Sequence, residues 1–222
     1  MELIVVIAII GIIAAYVVPQ AAGILKGSTL TQASTIVTDQ IRLAREVALT
    51  KNCQVEVRFY QYGDPEVPGE NVNDPTTGQY RAIQVFQVMN AGTANTAVSV
   101  PLDKVQMFPQ GVVMNSSATY STLLNIPGVA NTTSPNKGAS EPTGLQLPRG
   151  IKSNYNYISF KYLPDGSTNL PVTGVPPAFP AFLTLHNAND VGFLNGGIPY
   201  NYFCIQIDPV AGTTKAYRPT AG

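Results

Sequence analysis

The side chains that could carry out catalysis are few, and histidine is the scarcest of them. His186 is the only histidine among the 222 residues, and it lies in an alternating apolar and polar stretch that predicts a strand. A nucleophilic triad needs a base, and a zinc site needs several cysteine or histidine ligands. The chain also has no glycine-rich phosphate loop between a strand and a helix. We therefore predict a structural or surface role for His186, no cofactor and no enzymatic activity.

The densest group of carboxylates lies in a turn-rich segment between two predicted strands. It consists of Asp64, Glu66, Glu70 and Asp74. Calcium binds several carboxylate oxygens on a flexible loop, although this spacing does not match an EF-hand. The alternative is a solvated acidic loop, interrupted by prolines, that binds no metal. The sequence favours the solvated loop and keeps calcium as the second interpretation.

Two cysteines, Cys53 and Cys204, lie at the start of the first predicted strand and in the penultimate one. An even number of cysteines in an exported protein permits one disulfide, and two buried free thiols are the alternative. If the two strands are neighbours, a bridge would stabilise the fold by about 4 kcal/mol in the chain-entropy model. The sequence does not decide between the bridge and the free thiols.

Two polar segments contain the N-glycosylation pattern. Asn115 is followed by Ser116-Ser117, and Asn131 is followed by Thr132-Thr133. Either segment is equally explained as an ordinary polar loop. Glycan attachment within residues 115–143 is therefore one of two interpretations that remain open.

The charge and composition exclude some functions and indicate a fold class. The chain has 13 basic and 13 acidic residues. The basic residues that follow the predicted helix are scattered along the sequence, so there is no basic patch for nucleic acid. It contains 19 glycines and 18 prolines, which are typical of a β-rich fold with many turns. We expect no nucleic-acid partner.

The N-terminal segment is almost entirely apolar. Residues 3–18 read LIVVIAIIGIIAAYVV, and no charged residue lies between Glu2 and Lys26. A secretory signal peptide would begin with basic residues, which this segment lacks. A membrane anchor would fit the length of the apolar run, but it would not explain an acidic residue at its edge. A third interpretation is a helix that assembles with other helices.

The first 20 residues, MELIVVIAIIGIIAAYVVPQ, resemble the N terminus of mature type IV pilins and type II secretion pseudopilins. Glu2, Gly11 and Pro19 match the glutamate, the central glycine and the proline of that pattern. The resemblance implies polymerisation through this helix, with Glu2 paired to the N-terminal amine of a neighbouring subunit. It also implies local unwinding within residues 12–18 in the filament.

The same resemblance implies a route of assembly. A prepilin peptidase would process the chain in the inner membrane, and a pilus assembly platform and motor would then build it into an extracellular filament. Processed relatives carry a few residues before the glutamate, the first of them methylated, whereas only Met1 stands here. We therefore expect the mature N terminus to lie outside this sequence.

Beyond the apolar segment the helical pattern becomes one-sided. Apolar residues recur at steps of three and four, which predicts a single buried face: Leu30, Ala33, Val37, Ile41, Ala44 and Ala48. The helix should end near Asn52. The prediction thus divides the chain into an apolar helical segment, 1–27, an amphipathic helical segment, 28–52, and a β-rich head, 53–222.

The head shows the period of strands. Seven are predicted, at 54–62, 79–88, 104–108, 156–162, 181–186, 202–208 and 213–217, and the last two should form a hairpin. Residues 109–150 and 163–180 are predicted as surface loops. The segments LAREVALTKNCQVEVRFYQYGDPEVPG and SFKYLPDGS resemble H-type pseudopilins and the verrucomicrobial prepilin-like cassette protein D group. The resemblance implies an α+β fold, in which a long helix packs on an antiparallel β-sandwich-like head.

Two functions follow as hypotheses. The first is a structural subunit of a homopolymeric type IV pilus-like filament. The second is a minor pilin or pseudopilin that acts as a tip or binding module in secretion, adhesion or DNA uptake. The scattered basic residues make DNA uptake the weaker of these roles.

Overall fold

The computed structural model describes residues 2–89, 98–125, 130–132, 154–172, 181–190, 193–194 and 198–219, apart from some side chains, most of them in the first half of the helix. The described elements are one helix, α1 (Glu2–Lys51), two 3-10 turns (Pro75–Thr77 and Thr122–Asn125) and twelve strands. The strands are β1 (Gln54–Tyr62), β2 (Gln79–Met89), β3 (Val98–Pro101), β4 (Gln106–Met107), β5 (Val112–Met114), β6 (Ala130–Thr132), β7 (Tyr155–Tyr162), β8 (Ala181–Asn187), β9 (Phe193–Leu194), β10 (Ile198–Pro199), β11 (Tyr202–Ile207) and β12 (Thr214–Tyr217).

The second half of α1 is the spine of the hydrophobic core. The six apolar residues predicted for its buried face, Leu30, Ala33, Val37, Ile41, Ala44 and Ala48, are all 0% exposed. The helix ends at Lys51, and Asn52 adopts a left-handed backbone with φ of 48°, which stops the helix. The predicted amphipathic face and the predicted end of the helix are both confirmed.

Ten of the described strands form one antiparallel sheet that packs on this face. The main path runs β12-β11-β8-β5-β2-β1-β7-β6, and β3 and β4 pair with β2. β9 and β10 form a separate two-stranded sheet. β11 and β12 pair directly, which confirms the predicted C-terminal hairpin.

The sheet curves around the helix until two distant turns meet. In the strand order, four strands separate β11 from β7. Nevertheless the turn after β7 contacts the turn after β11, because the backbone N–H and the hydroxyl of Thr168 both donate to the Pro209 carbonyl at 3.0 Å. Tyr162 Oη also donates to the Gly212 carbonyl at 2.9 Å. We call these two segments, residues 163–168 and residues 208–213, the closing turns.

The sheet has a second, smaller core on the face away from α1. Tyr60 and Tyr155 form an edge-to-face pair at 5.3 Å and are buried together with Ala82 and Val105. The alternation of Val55, Val57 and Phe59 with Glu56, Arg58 and Tyr60 predicts that strand β1 is half-buried, with the second set facing solvent. Strand β1 is in fact buried on both faces, so that prediction is wrong. The prediction of an α+β fold is confirmed at the level of a long helix on an antiparallel sheet. The described strands form one main sheet, so the predicted sandwich of two sheets is not seen among them.

The prediction of one long surface loop over residues 109–150 is wrong at its beginning. Val112, Val113 and Met114 form β5, which lies inside the sheet between β2 and β8. Leu123 is also buried in the main core. Residues 126–129 and 133–150 of that prediction lie outside the described residues.

Candidate functional site

The most unusual surface of the molecule is the N-terminal half of α1. Val5, Val6, Ile7, Ile9, Ile10, Ile12 and Ile13 are each between 52% and 72% exposed. Scattered apolar residues are normal on a protein surface, but a contiguous apolar patch of this kind marks an interaction site. We call this surface, from Val5 to Ile13, the apolar helix surface.

Contacts near the middle of α1 fix the helix against the head. Lys26 Nζ pairs with Asp190 Oδ1 at 3.2 Å, and Arg218 Nη1 donates to Thr31 Oγ1 at 3.4 Å. The rise of an α-helix places Val5 about 32 Å from Lys26 along the axis. The apolar helix surface therefore lies well beyond these contacts with the described part of the head.

The three residues predicted for assembly all lie within this projecting part of α1. The backbone is helical from Glu2 through Gly11 and Pro19. A Cβ added at Gly11 would meet no atom within 4 Å, so the helix has an open surface at that position. The side chains of Glu2 and Pro19 lie outside the described residues, and their roles in assembly remain predictions.

The predicted membrane segment lies in the same part of the helix. Among the side chains that the structure describes, no helical stretch combines the length and the hydropathy needed to cross a membrane.

The acidic loop is held by an arginine that the sequence analysis did not single out. Arg81 of β2 pairs with Asp64 at 3.2 Å and with Glu70 at 2.5 Å. Glu70 also accepts the backbone N–H of Asp64 at 2.8 Å, and its side chain is only 8% exposed. The two inner carboxylates are therefore neutralised from within the protein, which disfavours a metal ion.

The two outer carboxylates of the loop are used differently. Asp74 caps the 3-10 turn by accepting the Thr76 backbone N–H, and Glu66 accepts a long hydrogen bond from Gln110 at 3.4 Å. In the described part of the chain, no three acidic, histidine or cysteine side chains are grouped to hold a metal. The described geometry of Asp64, Glu66, Glu70 and Asp74 thus favours the solvated acidic loop, and calcium binding stays an untested alternative.

Replacing Arg81 with methionine is expected to release this loop. Two carboxylates, one of them buried, would lose their counter-charge, and removing one partner of a buried pair costs about 3 kcal/mol. We expect faster proteolysis between residues 63 and 78, while the rest of the head stays folded. Lys104→Met, at an exposed lysine, is the matched control, and equal cleavage of the two variants would contradict this account.

The two cysteines are not brought together. Both are free and half-buried, and three strands lie between β1 and β11 in the sheet. Burial raises the pKa of the Cys204 thiol, which outweighs the opposite effect of its hydrogen bond with Thr184. The condition for the bridge, that the two strands are neighbours, is not met, and of the two open alternatives the structure has the free thiols.

His186 and Asn115 contact each other at one end of β8. The amide nitrogen of Asn115 lies 3.5 Å from His186 Nε2, and His186 Nδ1 lies 3.0 Å from the Asn187 carbonyl oxygen. Burial lowers the pKa of His186, although the Asn187 carbonyl and Asp190 act in the opposite direction. These are the contacts of a structural histidine. The amide of Asn115 is engaged and half-buried, and the side chain of Asn131 lies outside the described residues.

A buried ion pair is a second feature that the sequence analysis missed. Glu56 and Arg58 lie on the face of β1 that was predicted to be solvated, yet their side chains are only 7% and 4% exposed. Arg58 Nη2 donates to Glu56 Oε2 at 3.0 Å. The guanidinium carbon lies 4.2 Å from the centre of the Phe86 ring and 4.5 Å from that of Tyr157. The sequence carries no local signal for this burial, because Phe86 and Tyr157 lie on neighbouring strands and only the strand register brings them to Arg58.

The Glu56 pair should make the stability of the head depend on pH. Burial opposes ionisation of Glu56, but the charge of Arg58 and hydrogen bonds from Arg58, Ser159 and Ser99 together lower its pKa below 4.5. A lowered pKa in the folded state contributes stability above the unfolded pKa, and that stability is lost as the pH falls through the folded value. Acid should therefore weaken the head.

Glu56→Gln is expected to reduce the free energy of unfolding by about 3 kcal/mol at neutral pH, because it leaves the Arg58 charge without its partner. The difference from the wild type should shrink as the pH falls below 4.5, because the carboxylate of the unfolded chain takes up a proton there, whereas the lowered pKa keeps the folded carboxylate ionised to lower pH. Urea denaturation at pH 7 and at pH 3.5 measures the difference in the free energy of unfolding at neutral pH and its decrease in acid. Glu46→Gln, at an exposed position of α1, is the control, and a difference that does not change with pH would contradict the role of this pair.

Comparisons with known proteins give a fold-level similarity. No family model matches the chain, and no curated protein sequence matches it significantly. Among solved structures, the type IV minor pilin FimU of Pseudomonas aeruginosa is similar with a TM-score of 0.39 and 11% identity, over 86% of this chain and 93% of FimU. The minor pseudopilin EpsH of the type 2 secretion system of Vibrio cholerae is similar with a TM-score of 0.38 and 12% identity, over 86% and 98% of the two chains. A similarity this distant carries no assignment of function.

Proposed function

We propose that this chain is a structural subunit of a type IV pilus-like extracellular filament, and that it polymerises through the N-terminal half of α1. The observation that carries the proposal is the apolar helix surface, which is more than half exposed at each described position between Val5 and Ile13. A helix that is apolar on all sides is stable when other apolar groups surround it. Helices of other copies can supply such surroundings.

The second half of the same helix supports this role. It is fixed in the core of the head along the face from Leu30 to Ala48, and its contacts with the head extend up to Lys26. Assembly through the projecting half therefore needs no rearrangement of the head. The filament would have a core of α1 helices and an outer layer of heads.

The resemblance of the first 20 residues supports the remaining steps of the proposal. These are residence in the inner membrane before assembly, processing by a prepilin peptidase, and incorporation by a pilus assembly platform and motor. Local unwinding within residues 12–18 would occur only in the assembled state, since the subunit itself is helical there.

Electron microscopy of material sheared from the producing cells tests the function. An antibody against the head should label filaments continuously along their length. Label at one end only would identify a minor subunit at a tip. The absence of filaments that contain this chain, in cells that make it, would overturn the proposal.

A further inference from the structure

A groove lies between the C-terminal part of α1 and the β11–β12 hairpin, next to the closing turns. It has a volume of about 420 Å³ and is lined by Arg42, Arg45, Glu46, Leu49, Thr213 and Thr214, with Gly212 at its floor. We call it the arginine groove.

The arginine groove has charge and hydrogen-bonding capacity that the described residues do not use. No described carboxylate lies within ion-pair distance of Arg42 or Arg45. Arg45 donates through Nε to the Ala211 carbonyl at 3.0 Å, which holds its guanidinium at the groove. The hydroxyl of Thr214 is buried without a hydrogen-bond partner among the described residues. Guanidinium and hydroxyl groups of this kind bind carboxylates.

The opposite end of the head carries the complementary charge. In the acidic loop, Arg81 pairs with Asp64 and Glu70, whereas Glu66 and Asp74 are exposed and form no ion pair with a described residue. The loop follows β1, which runs back along α1 from the end of the helix. Glu66 contacts Gln110, and Gln110 lines the same surface groove as Lys26. The acidic loop therefore lies at the level of Lys26, and the arginine groove lies at the level of Arg42.

The two surfaces are separated along the helix axis. Sixteen residues of α-helix between Lys26 and Arg42 correspond to about 24 Å. Two copies with parallel helices, offset by this distance, would bring the acidic loop of one copy to the arginine groove of the other. Such a head-to-tail contact uses different surfaces on the two partners, and repetition of it produces an open helical filament.

We infer that the arginine groove is the docking site for the acidic loop of a second copy of this chain. The inference rests on the proposed function and adds to it a contact between heads. The apolar helix surface supplies burial, which is not directional, whereas the charged contact fixes the axial offset of neighbouring heads.

Charge-reversal variants of the full chain, made singly and then combined, test the inference. Arg42→Glu and Glu66→Lys both change exposed residues, and each is expected to reduce the yield of sheared filaments at least about tenfold, because it places like charges opposite each other. The double variant R42E/E66K restores opposite charges and should recover most of the wild-type yield. Lys104→Glu, an exposed reversal away from both surfaces, should leave the yield unchanged.

A cross-linking measurement reports the contact directly. In the Cys53→Ser/Cys204→Ser background, Arg42→Cys combined with Glu66→Cys should give a ladder of disulfide-linked multimers from sheared filaments after oxidation. Arg42 and Glu66 of one chain lie at levels about 24 Å apart along the helix axis, far beyond the reach of a disulfide, so a bridge must join two copies. Arg42→Cys alone should give no ladder beyond a dimer.

The outcomes separate this inference from the proposed function. Suppose that the wild type assembles, that R42E assembles equally well, and that the double-cysteine variant gives no ladder. The docking site is then overturned, and the filament role stands. A reduced yield for R42E that the swap does not recover also overturns the docking site. If wild-type cells form no filament that contains this chain, the proposed function fails, and the inference fails with it.

Discussion

Gly212→Ala is expected to prevent the head from closing around α1. Gly212 lies in the turn after β11 with φ of 65°, a left-handed conformation that costs roughly 1–2 kcal/mol for a residue with a Cβ. The added Cβ would also stand 2.0 Å from the Gly166 carbonyl oxygen and 2.8 Å from the Tyr162 ring. Because Gly166 belongs to the opposing turn and Tyr162 directly precedes that turn, the closing turns must separate.

The expected loss is larger than backbone strain alone. Separation would break the hydrogen bond from Tyr162 Oη to Gly212 and those from Thr168 to Pro209, each of which contributes about 1 kcal/mol. We expect the free energy of unfolding to fall by at least about 3 kcal/mol, which urea denaturation measures.

Gly69→Ala separates strain from steric overlap. Gly69 has φ of 90°, but a Cβ there would meet no atom within 4 Å. Its substitution should therefore show only the conformational cost, about 1–2 kcal/mol. Equal losses of unfolding free energy for Gly212→Ala and Gly69→Ala would show that the closing turns are not in tight contact at Gly212.

The periodicity of the sequence predicted the elements that are buried on one side. The steps of three and four from Leu30 to Ala48 identified all six buried apolar residues of that helical stretch, because one face of an α-helix packs on the sheet and the other meets solvent. The alternation in β8 and β11 was informative for the same reason. Where burial is one-sided, the pattern of apolar residues reports it directly.

The same reasoning failed where burial is two-sided or where a segment is short. Glu56 and Arg58 were placed on a solvated face because charged residues usually are, but aromatic rings and an ion pair make their burial tolerable. Val112 and Val113 form a strand of only three residues with Met114, which is too short to show alternation. Neighbouring strands β2 and β8, distant in sequence, determine that β5 exists.

The candidate sites could be predicted only in part, because most of them depend on contacts between distant residues. The acidic loop was recognised by its composition, but Arg81, which neutralises its inner carboxylates, follows seven residues after Asp74 with nothing local to mark it. The separation of Cys53 from Cys204 follows from the order of strands in the sheet. Strand order is a property of the whole fold, and local pattern does not determine it.

Glu2→Ala is expected to abolish filament assembly while the head remains folded. In a filament core made of apolar helices, a carboxylate is tolerable only with a partner. The resemblance of the N-terminal residues implies that this partner is the N-terminal amine of a neighbouring subunit. Alanine would leave that amine buried without a counter-charge. Breaking a buried pair costs about 3–5 kcal/mol, so the yield of filaments should fall by a factor of roughly 10² to 10³.

The stability of the head should not depend on this change. Glu2 lies 28 residues before Leu30, the first fully buried residue of α1, so no contact of the core depends on it. The urea midpoint of the purified protein should therefore equal that of the wild type. Asp39→Ala, which removes an exposed carboxylate elsewhere on the same helix, should leave both the midpoint and the filament yield unchanged. Normal filament yield from Glu2→Ala would show that the charge at this position has no part in assembly, and a lowered urea midpoint would show that its effect comes through folding.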